Sequence, residues 1–220
     1  MKRSTTPFIG RRTVALGLSA SAASLIIPLP GGIAQSALVA TPRQSTGPFY
    51  PVDWTGDIDA DLVRVRGEAA SAMGEILHVQ GRVLDVAGAP IGGASVEIWQ
   101  CDAQGVYRHP RDETTDRQRD AAFQGHGRTT ADVQGRYGFR TICPVPYGSR
   151  TPHIHFQVVP PGAPALITQM YVFGEARNER DGLLNRIRDP RQRRSVIVRL
   201  EPADRLEPGA LAAEFDIVIG

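Results

Sequence analysis

The chain has 220 residues, 41% of them hydrophobic, with 23 glycines and 17 prolines. This length allows one domain with a well-developed core or two small ones, and the glycine and proline content suits short strands joined by turns. The formal net charge is +2, but four of the 25 basic residues lie in the first 36 residues, which contain no acid. Without those four, 21 basic residues stand against 23 acidic ones, a net charge of about −2. Composition therefore gives no indication of a nucleic-acid partner.

Residues 1–36 have the pattern of an export signal. Basic residues precede an uncharged apolar stretch from Val14 to Leu29, and small residues suited to cleavage follow it. The adjacent Arg11 and Arg12 resemble a twin-arginine signal, which carries folded proteins. Pro28 interrupts the apolar stretch and Pro30 follows it directly, and the stretch is short for a membrane span. We therefore expect an exported protein, periplasmic or extracellular, with no stable membrane span after signal cleavage.

Residues 37–75 are predicted to form an extended N-terminal arm. Prolines and a glycine within residues 41–54 leave no helical or strand periodicity. The aromatic residues Phe49, Tyr50 and Trp54 would anchor this arm in a groove or on a neighbouring subunit.

Residues 76–220 are predicted to form the catalytic domain, an all-β, antiparallel β-sandwich of about seven or eight strands with long site-forming loops. Alternating apolar residues and turn signals mark strands at 76–85, 94–100, 136–142, 153–159, 167–173, 195–200 and 214–219. A long polar loop is expected over 101–127, and a short helix or loop over 174–194. No long amphipathic helix is predicted, which favours the sandwich.

Two cysteines, Cys101 and Cys143, each follow a predicted strand. In an exported protein they are able to form one disulfide, and the sequence leaves open whether they do. They are too few for a thiolate zinc site, which usually needs three or four.

A pair of histidines is the strongest local signal for chemistry. His153 and His155 lie in a predicted strand, whose period of two places both imidazoles on one face and Ile154 and Phe156 on the other. Neutral imidazole is the commonest metal ligand in proteins. Tyr147 lies six residues upstream in a proline-rich turn that can fold back over the same face. From these residues alone, a metal site and a polar face turned to solvent both stay open.

Several short motifs follow one another in a characteristic order. They are Thr41-Pro42 through Pro51, Gly81 to Asp85 with Ala94 to Gln100, Gly105-Val106-Tyr107, Gly135-Arg136-Tyr137, Pro146-Tyr147, Arg150 to Phe156, and Thr168 to Tyr171. Together they cover roughly residues 41–190. In this order the chain resembles the intradiol ring-cleavage dioxygenases, the protocatechuate 3,4-dioxygenase family.

The resemblance implies a non-haem Fe(III) centre. Its expected ligands are Tyr107, Tyr147, His153 and His155. Phenolate oxygen is a hard donor that suits ferric iron, whereas zinc is bound by Cys, His or carboxylate groups. A free tyrosine has a pKa of about 10, so two tyrosinates at neutral pH require a strong local cation.

The resemblance also implies an activity and the roles of three residues. The expected substrates are a catechol-type aromatic and O2, and the product is a cis,cis-muconate-type acid. Tyr147 would help to take up protons, Arg150 would be the cationic residue of the active site, and Gln169 would form a polar wall of the pocket. Tyr137 is interpreted as a packing residue.

Two other functional classes stay open at this point. One is an exported β-sandwich binding module without turnover, and the other is a cupin-like metal enzyme that uses the His-x-His pair. The second is weakened because neither a later histidine nor a nearby glutamate completes its usual ligand set. The identity of the catechol, a homo-oligomeric state and the need for a second related chain are not decided by the sequence.

Overall fold

The computed structural model describes residues 37–52, 54–112 and 118–220. The expected export signal, residues 1–36, lies outside the described residues and stays a prediction. None of the helices in the described part of the chain has the length and apolar character needed to cross a membrane.

The described chain is built almost entirely of strands. Their bounds are β1 (Ile76–Asp85), β2 (Ser95–Trp99), β3 (His126–Thr130), β4 (Arg136–Ile142), β5 (His153–Val159), β6 (Leu166–Val172), β7 (Ile197–Val198), β8 (Glu201–Pro202), β9 (Leu211–Glu214) and β10 (Ile217–Ile219). Two short 3-10 turns, Ala176–Glu179 and Leu184–Arg186, and one short helix, α1 (Pro190–Ser195), lie between β6 and β7. Asp189 caps α1, because its side chain accepts hydrogen bonds from the backbone N–H groups of the first turn.

The strands form two five-stranded sheets. In the first sheet β1 is central, paired with β4 on one side and with β9 and β10 on the other, and β8 extends the β9 side. The second sheet has the order β3-β2-β5-β6-β7. The β-sandwich prediction is confirmed. Most pairs are antiparallel as predicted, but β1–β9, β1–β10 and β6–β7 are parallel, so both sheets are mixed.

The core lies between the two sheets. Phe156 of β5 packs against Tyr137 of β4 and Phe215, with ring centroids 6.2 Å and 5.0 Å apart. The Tyr137 hydroxyl donates a hydrogen bond to the Phe215 carbonyl, which agrees with its interpretation as a packing residue. Leu62 and Val63 are also fully buried in this core. Part of the segment predicted as an arm therefore belongs to the hydrophobic core of the sandwich.

Both cysteine thiols are free. Cys101 is buried, and its Sγ lies 3.8 Å from the Val145 carbonyl oxygen. The disulfide that the sequence left open does not form in this structure.

Candidate metal centre

The two histidines of β5 converge on one point, as the strand periodicity predicts. Their Nε2 atoms lie 3.2 Å apart, and both side chains are buried. The Nδ1 of His153 lies 2.6 Å from the Thr151 carbonyl oxygen, which only accepts a hydrogen bond, so Nδ1 donates and Nε2 keeps a free lone pair. On its outer side the His155 ring stacks on Trp99, with centroids 4.8 Å apart. These contacts fix the ring planes.

Tyr107 reaches the histidines from the long loop after β2. Its backbone N–H donates to the Asp112 carboxylate at 2.6 Å, and the Asp102 carboxylate accepts from Val106 N at 3.0 Å. The loop is therefore held by carboxylates that bond to its own backbone. Tyr107 is buried, and within the described residues its hydroxyl meets no partner in hydrogen-bonding geometry, although the neighbouring Tyr147 side chain is close enough to raise its pKa. A buried polar atom of this kind is expected to meet a ligand.

Tyr147 completes the cluster from the turn before β5. The backbone N–H of Arg150 donates a hydrogen bond to the Tyr147 carbonyl at 2.9 Å and closes that turn. The Tyr147 ring centroid lies 5.0 Å from that of Tyr107 and 5.5 Å from that of His153, and Tyr107 lies 6.3 Å from His155. The four side chains that were predicted as ligands are thus brought together in one place.

In this cluster burial favours the uncharged form of each group. Burial, followed by the nearby Arg150, lowers the pKa of His153 to about 4, and burial lowers the pKa of His155 well below its usual value. Burial raises the pKa of Tyr107 well above its usual value and also raises that of Tyr147, although Arg150 acts against the shift at Tyr147. Two neutral imidazoles and two phenols that need a cation in order to ionise form a donor set for a strongly charged metal ion.

The geometry of the cluster fits such an ion. A metal ion about 2.1 Å from two imidazole nitrogens at a right angle places those nitrogens about 3 Å apart, close to the separation seen here. The partnerless Tyr107 hydroxyl supplies an oxygen donor beside them. Two nitrogen and two oxygen donors, the latter hard when ionised, suit ferric iron better than zinc.

Arg150 forms the cationic wall of the site. Its Nε donates to Asp181 Oδ2 at 2.7 Å, and one terminal nitrogen donates to Gln169 Oε1 at 2.6 Å. Asp181 is fully buried, and its Oδ1 accepts from the backbone N–H groups of Leu183 and Leu184. Burial tends to raise the pKa of Asp181, but the hydrogen bond from Arg150 and those from the backbone outweigh it and lower the pKa. The Arg150 guanidinium is therefore held by a carboxylate that stays ionised.

The N-terminal arm covers one side of the cluster. The Gln44 side chain donates to the Tyr171 hydroxyl at 2.7 Å, and the Ser45 carbonyl accepts from Gln169 Nε2 at 3.1 Å. Gly47 has a φ of +73°, and a Cβ there would lie 3.1 Å from Cε1 of His155, so both the backbone conformation and the close approach favour glycine. The ring centroids of Phe49 and Tyr107 lie 5.0 Å apart. Tyr50 packs in the same way against Trp99 and Trp54 against His126, with ring centroids 5.0 Å and 5.1 Å apart. All three predicted anchors of the arm therefore contact the same chain.

Several members of this site were missed by the sequence reasoning. Asp181 lies in the segment 174–194, which was predicted only as a short helix or loop, and Gln44 and Tyr171 were assigned no role in the site. An Asp-Gly pair in a polar stretch signals a turn and nothing more. These residues join the site through contacts between segments more than 20 residues apart in sequence, which short-range periodicity does not report.

Comparison with known proteins agrees with the family resemblance found in the sequence. Residues 45–219 match a family model described as Dioxygenase. The protocatechuate 3,4-dioxygenase beta chain of Burkholderia cepacia is 36% identical over 186 residues, which are 80% of this chain and 78% of that protein. Hydroxyquinol 1,2-dioxygenase of Rhodococcus opacus is 30% identical over 68% of this chain, and the match spans 52% of that enzyme.

Solved structures give the same result for the fold. The dioxygenase domain of a dioxygenase and carbohydrate-binding fusion protein from Streptomyces sp. SirexAA-E has a TM-score of 0.61 and 29% identity, over 82% of this chain and 98% of that one. An intradiol ring-cleavage dioxygenase from Tetranychus urticae has a TM-score of 0.64 over 83% of this chain and 95% of that one, and at 22% identity it supports the fold alone. The family model and the Burkholderia relative extend over most of the sandwich and over all four clustered side chains, and they establish that this chain belongs to the intradiol dioxygenase family.

Proposed function

We propose that this chain is a non-haem Fe(III) dioxygenase that opens the ring of a catechol-type aromatic between its two hydroxyl-bearing carbons. One catechol and one O2 give one cis,cis-muconate-type diacid, with both oxygen atoms retained and no external reductant consumed. The proposed iron ligands are Tyr107, Tyr147, His153 and His155. The observation that carries the proposal is their convergence, with two Nε2 atoms 3.2 Å apart beside a buried phenol that lacks a partner.

The bound iron would supply Lewis acidity towards the two catechol oxygens and the aromatic ring. The chain's own residues would then divide the remaining work. Tyr147 is only half-buried, whereas Tyr107 is fully enclosed, so we assign the uptake of a catechol proton to the Tyr147 hydroxyl oxygen. Arg150, fixed by Asp181 and Gln169, would stabilise negative charge on the substrate. Phe49 and Gly47 of the arm would limit the access of water from one side.

The experiment begins with iron loading of the purified protein, followed by visible spectroscopy and oxygen uptake with a panel of catechols. Iron bound by phenolates absorbs visible light, so we expect a coloured protein and consumption of one O2 per ring opened. Tyr137→Phe is the matched control, because Tyr137 is a buried tyrosine outside the cluster. A colourless protein that binds iron, or a coloured one that consumes no oxygen with any catechol, would contradict the proposal.

We also propose that the protein is exported through the twin-arginine-type signal of residues 1–36. The support is the sequence pattern, and a twin-arginine route would allow a metal to be loaded into the folded site before transport. The binding-module alternative is not favoured, since the family assignment extends over all four proposed iron ligands. The cupin-like alternative is not favoured either, because two phenols stand beside the His-x-His pair.

A further inference from the structure

A cavity lies between the N-terminal arm and the segment 183–192, close to the candidate metal centre. It has a volume of about 710 Å³, within the range of roughly 300–1,000 Å³ that is usual for small-molecule sites. One wall is formed by residues 41–45 of the arm and the other by residues of the segment 183–192. Gln192 ties the two walls together, because its Nε2 donates to the Ala40 carbonyl at 3.1 Å. We call this space the arm cavity.

The arm cavity is lined by more positive than negative charge. Arg43 comes from one wall, and Arg186 and Arg188 come from the other. Within the described ranges, none of these three guanidinium groups takes part in an ion pair or a hydrogen bond. The lining also contains Asp189, but this carboxylate is engaged in capping α1, with Oδ1 2.7 Å from the Arg191 backbone nitrogen. Three arginines without a carboxylate partner around one cavity favour an anionic ligand.

The rest of the lining narrows the chemical class of that ligand. Pro42, Leu183 and Ile187 give the cavity apolar surface between the arginines. Arginine presents a planar fork of donors that matches a carboxylate, and arginines on two opposite walls match two such groups. We propose that the arm cavity binds organic dicarboxylates with a short apolar carbon chain. The ring-opened diacid of the proposed reaction is one of them, and that particular assignment depends on the proposed function.

Both walls of the arm cavity are hydrogen-bonded to residues of the candidate metal centre. On the arm side, Gln44 donates to the Tyr171 hydroxyl, and the Ser45 carbonyl accepts from Gln169, the partner of Arg150. On the opposite side, Leu183 donates its backbone N–H at 3.0 Å to Asp181, the other partner of Arg150. A ligand that draws the two walls together therefore acts on Arg150 from two directions without occupying the metal centre.

Binding is tested first, on iron-free protein, by isothermal titration with cis,cis-muconate. We expect saturable binding of one equivalent, about 10-fold weaker in Arg43→Gln and again in Arg186→Gln, since the loss of one charge-assisted contact of about 1.4 kcal/mol is a factor of ten. Arg194→Gln, which removes an exposed arginine of α1 outside the lining, should bind as the wild type does. The dimethyl ester of muconate should not bind, and sodium sulfate at equal ionic strength should not compete.

Equal affinity in wild type and in the Arg43→Gln, Arg186→Gln double variant would overturn the site. Full competition by sulfate would overturn the preference for dicarboxylates. In the iron-loaded enzyme, muconate should lower kcat for a catechol and leave KM unchanged, and competitive inhibition would place the ligand at the metal instead. Because the titration uses iron-free protein, failure of ring cleavage and failure of the arm cavity are separate results.

Discussion

Replacement of Asp181 by asparagine tests the idea that the Arg150 guanidinium is held by a buried carboxylate. The Asp181 side chain is 0% exposed and that of Arg150 is 14% exposed, and their N–O distance is 2.7 Å. Asp181 Oδ2 also accepts from the Thr151 N–H at 3.0 Å, while Oδ1 accepts from the Leu183 and Leu184 N–H groups. Asparagine keeps the volume but replaces one acceptor oxygen by an NH2 group, which faces N–H donors in either orientation.

The magnitude follows from this arrangement. Breaking a buried ion pair on one side costs about 3–5 kcal/mol, and a hydrogen bond to a charged group contributes about 1.5–3 kcal/mol. Arg150 keeps its bond to Gln169 and some contact with solvent, so we expect the free energy of unfolding to fall by about 2–3 kcal/mol. A guanidinium displaced from the ring of the substrate should also reduce kcat by roughly 10- to 100-fold, about 1.4 kcal/mol for each factor of ten.

The assay is urea unfolding of iron-free Asp181→Asn, followed by turnover, KM and visible absorption of the iron-loaded form. Asp216→Asn is the matched control, because the Arg82–Asp216 pair has side chains 51% and 30% exposed and should contribute no more than about 1 kcal/mol. We expect Asp181→Asn to retain iron and colour while kcat falls more than KM rises. If its unfolding free energy and kcat match those of the Asp216 variant, Asp181 does not position Arg150.

Four further predictions follow from the site and from the N-terminal sequence. Tyr107→Phe should lose most bound iron and visible colour, as measured by metal analysis and absorption, and a variant that keeps both would show that Tyr107 is not a ligand. The pKa of His153, about 4 in the folded protein against an ordinary 6.5, means that the unfolded chain binds protons first as pH falls. The contribution of His153 to the unfolding free energy of the iron-free protein should therefore be fully present above pH 6.5. The unfolding free energy should fall by roughly 3 kcal/mol from there towards pH 4, whereas a rise over that range would contradict the burial of a neutral imidazole. Gly47→Val should lower turnover and thermal stability together, since its side chain would strike His155 and its φ is positive, and unchanged values would refute the close approach. Arg11→Lys with Arg12→Lys should leave the protein in the cytoplasm in cell fractionation, and undiminished export would argue against a twin-arginine signal.

The strands with clear alternation were predicted closely. β1, β4 and β5 have the bounds that the sequence predicted, because each has apolar residues at every second position facing the core. β3 was not predicted: its first two residues lie in the predicted loop 101–127 and the other three were left unassigned. It is an edge strand whose sequence, His-Gly-Arg-Thr-Thr, has no apolar alternation. β9, Leu-Ala-Ala-Glu, was missed for a similar reason. Edge and short strands are specified by their partners more than by their own pattern.

The sequence by itself determined which face of β5 carries His153 and His155, because a period of two is a local property of an extended backbone. Ordered motifs then identified the two tyrosines that accompany them. Only the tertiary structure decided that Asp181 holds Arg150 and that the arm reaches the metal centre. Those contacts join segments distant in sequence, and their geometry depends on how the two sheets pack and where the loops return, which no local pattern encodes.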